Sequence, residues 1–270
     1  MGSEVYAVLF RVLMFFVGAI LGSFLCCQAR RLHERESRGR KLGKRSECLS
    51  CGHHLKWYEN LPIVSWIFLR GRCRKCGAKI GAAEILAEVG VGAMFLLFSF
   101  TVEVSSSAGW GWAEFLLLLV FGAGLGFLAV YDGLYGELPS AVLTFSVICA
   151  TILVILKQRS LFLGGFSWGT VLTVLGAGAV LAAPYLILYL VSRGKWVGDG
   201  DWILGLAIGL VLSEPFLSLF ALFLTNLAAS VVMFPLMRGR KSRQIHMGPF
   251  MVVGFVVTYM LAGNLMGLLG

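Results

Sequence analysis

Eight apolar runs, most of them close to the length that crosses a bilayer, recur along this chain and constrain its fold more than any other feature. They cover residues 5–27, 85–102, 114–131, 139–156, 170–192, 202–212, 215–236 and 249–269. A helix needs about 20 apolar residues to cross the hydrocarbon core, and only the sixth run is clearly short. The runs lack the period-2 alternation of a membrane barrel, and backbone groups in lipid must be hydrogen-bonded internally. The sequence therefore predicts an all-α polytopic membrane protein with about eight transmembrane helices.

The amino-acid composition is that of a membrane protein rather than of a soluble domain. Of the 270 residues, 58% are hydrophobic and 14% are charged, whereas soluble domains have about 45–50% apolar and about 25% charged residues. The first run, 5–27, has no basic start and no small-residue cleavage site, and it is long for a signal peptide. We therefore expect it to remain as a membrane helix.

Lys and Arg residues are concentrated in every second segment between the runs. The odd-numbered segments hold 20 of the 23 Lys and Arg residues. They are residues 28–84, 132–138, 193–201 and 237–248. Because cytoplasmic loops carry an excess of Lys and Arg, these segments are predicted to be cytoplasmic and both termini extracytoplasmic. This topology accounts for the net charge of +9, so no nucleic-acid partner is expected.

Acidic residues lie at two predicted membrane edges. Asp132 follows the third run, and Gly198-Asp199-Gly200-Asp201 precedes the short sixth run. An ionisable residue at such a position is a functional hypothesis by default, and both segments are predicted to be on the cytoplasmic side. Gly198 and Gly200 would let the backbone approach a partner closely. Two close carboxylates that share one proton are the working part of an aspartic protease, so Asp132 and Asp201 are candidate catalytic residues.

Other roles remain open for these acids. Asp199 and Asp201 could cap the helix that starts near Trp202, since Asp is a favoured N-cap, and Asp132 could lie in a solvated turn. Two non-enzymatic functions also fit: a proton-coupled transporter whose buried acids relay protons, and a zinc-ribbon scaffold that docks cytoplasmic partners. Transporters of this kind are expected to show internal repeats, and we find no convincing one between the two halves of the sequence.

Two cysteine pairs dominate the polar segment 28–84. Cys48 and Cys51 form one C-x2-C pair, Cys73 and Cys76 form another, and 21 residues separate the pairs. Four thiolates suit a closed, tetrahedral Zn²⁺ site of the structural kind, and the spacing is close to that of zinc ribbons. Two disulfides or free thiols are the alternatives, although a cytoplasmic location disfavours disulfides.

Other polar and aromatic residues near the cysteine pairs are candidates for further roles. His53 and His54 are close to Cys51, and either could substitute as a metal ligand, although surface positions explain both more simply. The aromatic residues of segment 57–66 suit the membrane interface, so we expect the zinc module to lie against the bilayer. Glu88, near the start of the second run, is a candidate site residue, and a solvated helix start is equally consistent with it.

Several segments in combination resemble a known family. They are residues 45–62 and 69–77 around the cysteines, Gly22-Ser23-Phe24-Leu25, Arg31-Leu32, Asp132 with Leu138-Pro139, Gly198-Asp199-Gly200-Asp201, and Ile245-His246-Met247-Gly248-Pro249-Phe250. Together they resemble the type IV prepilin peptidases, the leader peptidase/N-methyltransferases of bacterial inner membranes. The resemblance covers essentially the whole chain. The chain departs from the family pattern at Cys26, at Ala83-Glu84-Ile85 and at Ile203.

The resemblance implies an aspartic endopeptidase with Asp132 and Asp201 as catalytic residues and with Gly198 and Gly200 in the supporting loop. It implies prepilins and type II secretion pseudopilins as substrates, cleaved at the cytoplasmic face of the inner membrane. The new N-terminus would then be methylated from S-adenosylmethionine. Because the chain has no glycine-rich dinucleotide loop, this second activity rests on the resemblance alone. The candidate cofactor-binding residues, in or next to segment 28–84, are Tyr58, Glu59, Asn60 and Glu88.

These expectations divide the chain into three parts. Residues 1–27 form the first transmembrane helix, residues 28–84 form a cytoplasmic four-cysteine zinc-binding domain, and residues 85–270 form the transmembrane aspartic protease domain. The expected partners are the lipid bilayer and the prepilin and pseudopilin substrates.

Overall fold

The structure, a computed structural model, describes residues 2–39, 46–48, 50–102, 109–158, 167–237 and 246–267. Within these ranges the chain forms nine α-helices. They are α1 (Gly2–Arg38), α2 (Val64–Phe68), α3 (Ala82–Phe98), α4 (Gly109–Tyr135), α5 (Ser140–Lys157), α6 (Trp168–Ser192), α7 (Asp201–Leu212), α8 (Pro215–Met237) and α9 (Gly248–Gly267). Two short 3₁₀ helices, Trp57–Asn60 and Ser99–Thr101, complete the regular structure of the described residues.

Each predicted apolar run forms the body of one helix. In the described part of the chain, seven helices are long and apolar enough to cross a membrane: α1, α3, α4, α5, α6, α8 and α9. The sixth run forms α7, which has 12 residues. At about 1.5 Å per residue this helix rises about 18 Å, short of the roughly 30 Å of hydrocarbon. The prediction of an all-α polytopic membrane fold is confirmed, with α7 as the short helix.

Two helices extend beyond their apolar runs. Helix α1 continues to Arg38, because the polar residues after position 27 are compatible with a helix and the first left-handed residue is Gly39, with φ of +62°. Helix α4 continues to Tyr135 and ends at Gly136, whose φ is +74° and whose N–H donates to the Asp132 carbonyl at 2.8 Å. The expectation that Asp132 lies in a loop is therefore wrong, since it belongs to the last turn of α4.

The chain divides into two compact units, Met1–Phe100 and Thr101–Gly270. In the first unit α1 packs along α3 through small residues. A Cβ atom at Gly18 would lie 2.6 Å from the Val91 carbonyl oxygen, so the two backbones are in close contact at that point. The predicted three-part division at residues 27 and 84 stays a prediction.

In the second unit α7 is held against α6 by close backbone contact. A Cβ at Gly205 would lie 3.0 Å from the Leu181 carbonyl, and one at Gly209 would lie 2.5 Å from the Ala177 carbonyl. Advancing four residues along α7 therefore moves four residues back along α6, so the two helices are antiparallel. The start of α7, which carries Asp201, consequently lies towards the carboxyl end of α6.

Helices α4 and α9 also meet inside the second unit. The rings of Phe121 and Phe255 are fully buried and form an edge-to-face pair with centroids 5.7 Å apart. This contact helps to hold α9 beside α4, because edge-to-face aromatic pairs are favourable. The amino end of α9 then reaches the last turn of α4, where Asp132 lies.

Candidate active site and metal centre

Asp132 is buried in the last turn of α4, with 4% of its surface exposed. Its Oδ2 accepts a hydrogen bond of 2.8 Å from the backbone N–H of Gly248, the first residue of α9. His246 Nδ1 lies 3.8 Å from Oδ1 of the same carboxyl group. A carboxylate at a helix carboxyl end is opposed by the helix dipole, so the Gly248 amide stabilises it from outside α4. Asp132 is not the solvated turn residue of the alternative interpretation.

Asp201 is the first residue of α7 and is equally buried, at 4% exposure. Its Oδ2 accepts a hydrogen bond of 2.9 Å from the backbone N–H of Gly198, three residues earlier. A capping Asp instead accepts from the amides of the helix that follows it. The Asp201 side chain therefore turns back onto its own loop, and the geometry does not match that of a helix cap. Asp199, which lies between Gly198 and Asp201 in the sequence, is exposed.

Both carboxyl groups line one cavity of about 620 Å³. The other lining residues are Tyr135, Gly136, Glu137, Leu138, Tyr189, Gly194, Gly198, Asp199, Gly200 and His246. The fold thus brings together Asp132 and Asp201, which are 69 positions apart in the sequence. Their catalytic role stays a prediction.

Gly200 lets the two acidic segments approach each other. A Cβ at this position would lie 2.6 Å from Leu138 Cβ and 2.9 Å from Leu143 Cδ1, which is closer than non-bonded atoms can come. The loop before α7 is therefore packed directly on the turn between α4 and α5. At Gly198 a Cβ would meet only ordinary contact, 3.4 Å from Asp201 Oδ2. The contribution of Gly198 to the site is its backbone N–H.

The two cysteine pairs form two loops of the same construction. In the first, Gly52 N–H donates to the Cys48 carbonyl and Cys48 N–H donates to the His53 carbonyl, both at 2.9 Å. In the second, Gly77 N–H donates to the Cys73 carbonyl at 2.9 Å and Cys73 N–H donates to the Ala78 carbonyl at 2.8 Å. The glycine after each pair has a positive φ, +66° and +70° respectively, which closes the turn.

The four thiols of these loops form a cluster with the dimensions of a metal site. All four sulfur atoms lie within 4.8 Å of one another, with Cys48 and Cys76 3.8 Å apart and Cys51 and Cys73 4.0 Å apart. Tetrahedral Zn–S bonds of about 2.3 Å need sulfur atoms about 3.8 Å apart, whereas a disulfide needs about 2.05 Å. The cluster can therefore hold a metal ion.

The side chain of His53 interacts with Glu59 rather than with the four sulfur atoms. Its Nε2 lies 3.2 Å from Glu59 Oε2, which also accepts the Lys56 backbone N–H at 2.9 Å. These donors, the Lys56 amide first, hold the pKa of Glu59 below its ordinary value. Glu59 is thus a structural partner of the first cysteine loop.

The other candidate cofactor-binding residues differ in their surroundings. Tyr58 lies under the Arg74 guanidinium, 5.6 Å from the ring centroid, and Asn60 is exposed. Glu88 is buried on α3, and its Oε2 accepts the Ile63 backbone N–H at 2.6 Å. A cavity of about 180 Å³ is lined by Glu59, Asn60 and Glu88, but not by Tyr58.

Comparison with known proteins identifies relatives of this chain. Residues 16–102 match the model of the Bacterial Peptidase A24 N-terminal domain. A protein of Burkholderia pseudomallei named Prepilin leader peptidase/N-methyltransferase is 32% identical over 225 residues, which are 79% of this chain and 66% of that protein. A Vibrio cholerae protein of the same name is 26% identical over 264 residues, which are 94% of this chain and 96% of that protein.

The chain belongs to the type IV prepilin peptidase family.

The extent of the family match varies between relatives. A Myxococcus xanthus prepilin leader peptidase/N-methyltransferase is 44% identical over 87 residues, which are 32% of this chain and 25% of that protein. The matched segments thus span a quarter of one such relative and about two thirds of the Burkholderia protein. No solved structure matches the chain. The resemblance to type IV prepilin peptidases that the sequence motifs indicate is confirmed.

In this prepilin peptidase family member, His246 and Gly248 contact Asp132, and the sequence did not predict either as a site residue. Their segment, 245–250, resembles a family motif, and this is the only signal that it carries in the sequence. No periodicity or spacing indicates that the start of α9 reaches the end of α4. Ile245 and most of the basic segment 237–248 lie outside the described residues.

Proposed function

We propose that this protein is a membrane aspartic endopeptidase that removes the leader of type IV prepilins and type II secretion pseudopilins. The observation that carries the proposal is the buried pair Asp132 and Asp201 on one cavity, each held by a single backbone amide. The names of the relatives, prepilin leader peptidase/N-methyltransferase, support the same reaction.

In this proposal the two carboxyl groups share one proton, because two close carboxylates cannot both ionise readily. The ionised group takes a proton from a water molecule, which attacks the scissile carbonyl carbon. The protonated group donates its proton to the carbonyl oxygen. In a later step the leaving amine is protonated. The two pKa values observed for such a pair describe both carboxyl groups together and are not assigned to one residue each.

The proposed orientation places this chemistry at the cytoplasmic face of the bacterial inner membrane. It is supported by the 20 of 23 Lys and Arg residues that lie in the odd-numbered segments, which include residues 28–84 and the loop 193–201. A prepilin has a short basic leader followed by an apolar helix, so its cleavage point would meet the pair at the membrane edge.

The second proposed activity is N-methylation of the new N-terminus, with S-adenosylmethionine as the source of the methyl group. Its proposed location in the first unit is supported by the buried carboxylates Glu59 and Glu88.

The metal that the four thiols would hold is Zn²⁺ in a closed, structural site, because the donor set is Cys₄ and the sulfur separations fit. Cys48, Cys51, Cys73 and Cys76 would be its ligands.

Two substitutions test the peptidase. We expect Asp132→Asn and Asp201→Asn each to lower leader cleavage at least roughly a thousandfold, because neither can then share the proton. The matched control is Asp199→Asn, which removes an exposed carboxylate from the same loop. Cleavage of a prepilin in liposomes is followed by product mass, and insertion and melting temperature are checked in parallel. Cleavage at the wild-type rate in either mutant would contradict the pair and favour a transporter or scaffold.

The same assay tests the methyltransferase. With S-adenosylmethionine present, the wild-type product should gain the mass of one methyl group at its N-terminus. Cleaved product without this gain would restrict the protein to proteolysis.

A further inference from the structure

The cavity at the candidate active site contains one side chain that the proposed reaction does not yet use. Among the described residues that line this cavity of about 620 Å³, His246 is the single one that can carry a positive charge. The other titratable side chains of the lining are those of Asp132, Tyr135, Glu137, Tyr189, Asp199 and Asp201. A histidine among carboxyl groups and phenols changes the charge of the cavity when it binds a proton.

The imidazole ring of His246 is held against the turn that ends α4. Gly136 in this turn has φ of +74°, and a Cβ at its position would lie 2.5 Å from His246 Cε1 and 2.8 Å from Nδ1. The ring therefore packs directly on the Gly136 backbone, in space that a side chain would occupy. The His246 side chain is 33% exposed, so it can exchange a proton with water.

The segment before α9 approaches both oxygen atoms of the Asp132 carboxyl group. His246 Nδ1 lies 3.8 Å from Oδ1, and the Gly248 N–H donates to Oδ2 at 2.8 Å. Gly248 is the first residue of α9, and His246 precedes it by two positions. The segment that provides the neutral donor for one oxygen therefore also places a titratable nitrogen beside the other oxygen.

Asp201 differs from Asp132 in the charged groups near it. Its Oδ2 accepts the Gly198 N–H at 2.9 Å, and the nearest charged residue in the same loop is Asp199, which carries another carboxyl group. In the described part of the chain, no cationic side chain lies within ion-pair distance of Asp201. The pair is thus asymmetric, since only Asp132 has a neighbour that can become positive.

The helix ends near the two acids have a smaller effect than a protonated His246. Asp132 lies at the carboxyl end of α4, which opposes its ionisation, and faces the amino end of α9, which favours it. Asp201 lies at the amino end of α7. A helix end carries about half an elementary charge, whereas an imidazolium carries a whole one. Protonation of His246 therefore shifts the balance at Asp132 towards the ionised form.

We propose that His246 is a positioning residue of this aspartic pair, whose positive charge at acidic pH keeps Asp132 ionised and leaves the shared proton on Asp201. The inference rests on the proposed peptidase function and assigns roles within it.

These roles give a balanced reaction. Asp132 takes one proton from water, the hydroxide bonds to the scissile carbonyl carbon, and Asp201 gives its proton to the carbonyl oxygen. When the C–N bond breaks, the leaving amine receives the proton from Asp132, and Asp201 regains one from a hydroxyl group of the diol intermediate. One water molecule is consumed, and both carboxyl groups return to their starting state.

The charge of His246 determines the acid limit of cleavage. An aspartic pair is active while it holds one proton, and it fails when its ionised member is protonated as well. A cation beside Asp132 opposes this second protonation, so wild-type activity extends to lower pH. Histidine side chains lose their charge as the pH rises above neutrality, so the effect of His246 is confined to the acid side.

The experiment measures kcat and KM for leader cleavage from about pH 4.5 to about pH 9, the range in which histidines and carboxyl pairs titrate. The full chain is used in detergent, where both of its faces experience the same pH. The test variant is His246→Asn, because the asparagine amide nitrogen replaces Nδ1 as a donor but carries no charge. The control is His54→Asn, which changes a histidine of the first unit whose side chain is 62% exposed.

We expect the acid limb of the His246→Asn profile to lie about one pH unit above that of the wild type, because an opposite charge near a carboxylate shifts its titration by about this amount. At pH values below both limbs the variant should therefore cleave about tenfold more slowly. The loss should be in kcat, with KM little changed. Near pH 8 the two rates should agree within about twofold, since the imidazole is then largely uncharged. His54→Asn should keep the wild-type profile.

An acid limb that coincides in the wild type and His246→Asn, or that moves to lower pH, would overturn the inference. A rate loss by the same factor at every pH would also overturn it, because a purely structural contact acts in this way. Melting temperatures show whether His246→Asn is folded, and His246→Gln, with a longer neutral side chain, gives the same test if it is not. Absence of cleavage by the wild type at every pH would overturn the proposed function, whereas wild-type cleavage with an unmoved limb overturns this inference alone.

Discussion

At the scale of single residues, the buried carboxyl groups of this protein differ in the donors that hold them. Asp132 and Asp201 each accept one backbone amide and face a cavity. Glu59 accepts a backbone amide and also interacts with a histidine side chain, so it is a structural link. All three carboxyl groups are buried and line a cavity, so the second hydrogen-bond partner of Glu59 is what distinguishes it from the two candidate catalytic acids.

Gly248→Ala tests whether the contact with the start of α9 positions the Asp132 carboxyl group. The added Cβ would lie 2.9 Å from Asp132 Oδ2 and 3.1 Å from Asp132 Cβ, so the carboxyl group must move. Displacement of a catalytic group by about 1 Å can cost roughly a hundredfold in rate, and we expect leader cleavage to fall by that order. Gly263→Ala in the same helix, with no atom within 4 Å of the new Cβ, is the control. Equal cleavage by both variants would mean that this contact does not position Asp132.

Glu59 gives a prediction on pH. The Lys56 amide and His53 lower its pKa from the ordinary 4.5, so the ionised form stabilises the fold. That contribution is fully present above pH of about 4.5 and is lost as the pH falls through the lowered pKa. Glu59→Gln should therefore lower the melting temperature by a few degrees at pH 7, and the difference from wild type should shrink below pH of about 4.5. A difference that is constant from pH 3 to pH 7, a span of about four units, would contradict this linkage.

At the scale of elements, the two cysteine loops form one small module around the four thiols. Each is a short turn closed by two backbone hydrogen bonds, and isolated β-bridges are the only strand-like pairing that the described residues show there. Such a small module has little apolar core of its own. A metal held by both loops would therefore contribute much of its folding free energy.

Metal removal tests this module. We expect the purified protein to contain about one zinc per chain, measured by mass spectrometry of the metal. Cys51→Ser should lose the zinc and make residues 46–81 sensitive to protease. Cys149→Ser, a buried cysteine of α5 outside the cluster, should keep both zinc and resistance. Retention of zinc by Cys51→Ser would exclude the four-thiolate site.

At the scale of the whole molecule, the charge distribution rather than any contact predicts the orientation in the membrane. We expect the C-terminus to be extracytoplasmic and the segments 28–84 and 193–201 to be cytoplasmic. Alkaline phosphatase fused after residue 270 should be active, and the same enzyme fused within residues 193–197 should be inactive. The reverse pattern would place the candidate site on the opposite face and contradict cleavage of a cytoplasmic leader.

Much of the membrane architecture follows from local properties of the sequence. Apolar length determines where helices form, because unsatisfied backbone groups in lipid are costly, and the runs correspond to α1 and α3 to α9. The thiol spacing indicates a four-cysteine cluster, since ligands three positions apart on a glycine-closed turn point the same way. The motifs at Asp132 and Asp201 identify the acids, but not their separation.

The tertiary structure alone decided how those acids are held and what else surrounds them. The packing of Gly200 against Leu138 and the hydrogen bond from the Gly248 amide to Asp132 both join residues that are distant in the sequence. Local propensity and spacing carry no information on such contacts, because they depend on how whole helices pack. The sequence therefore determined the helices and the chemistry available to them, whereas helix packing determined which groups share a cavity.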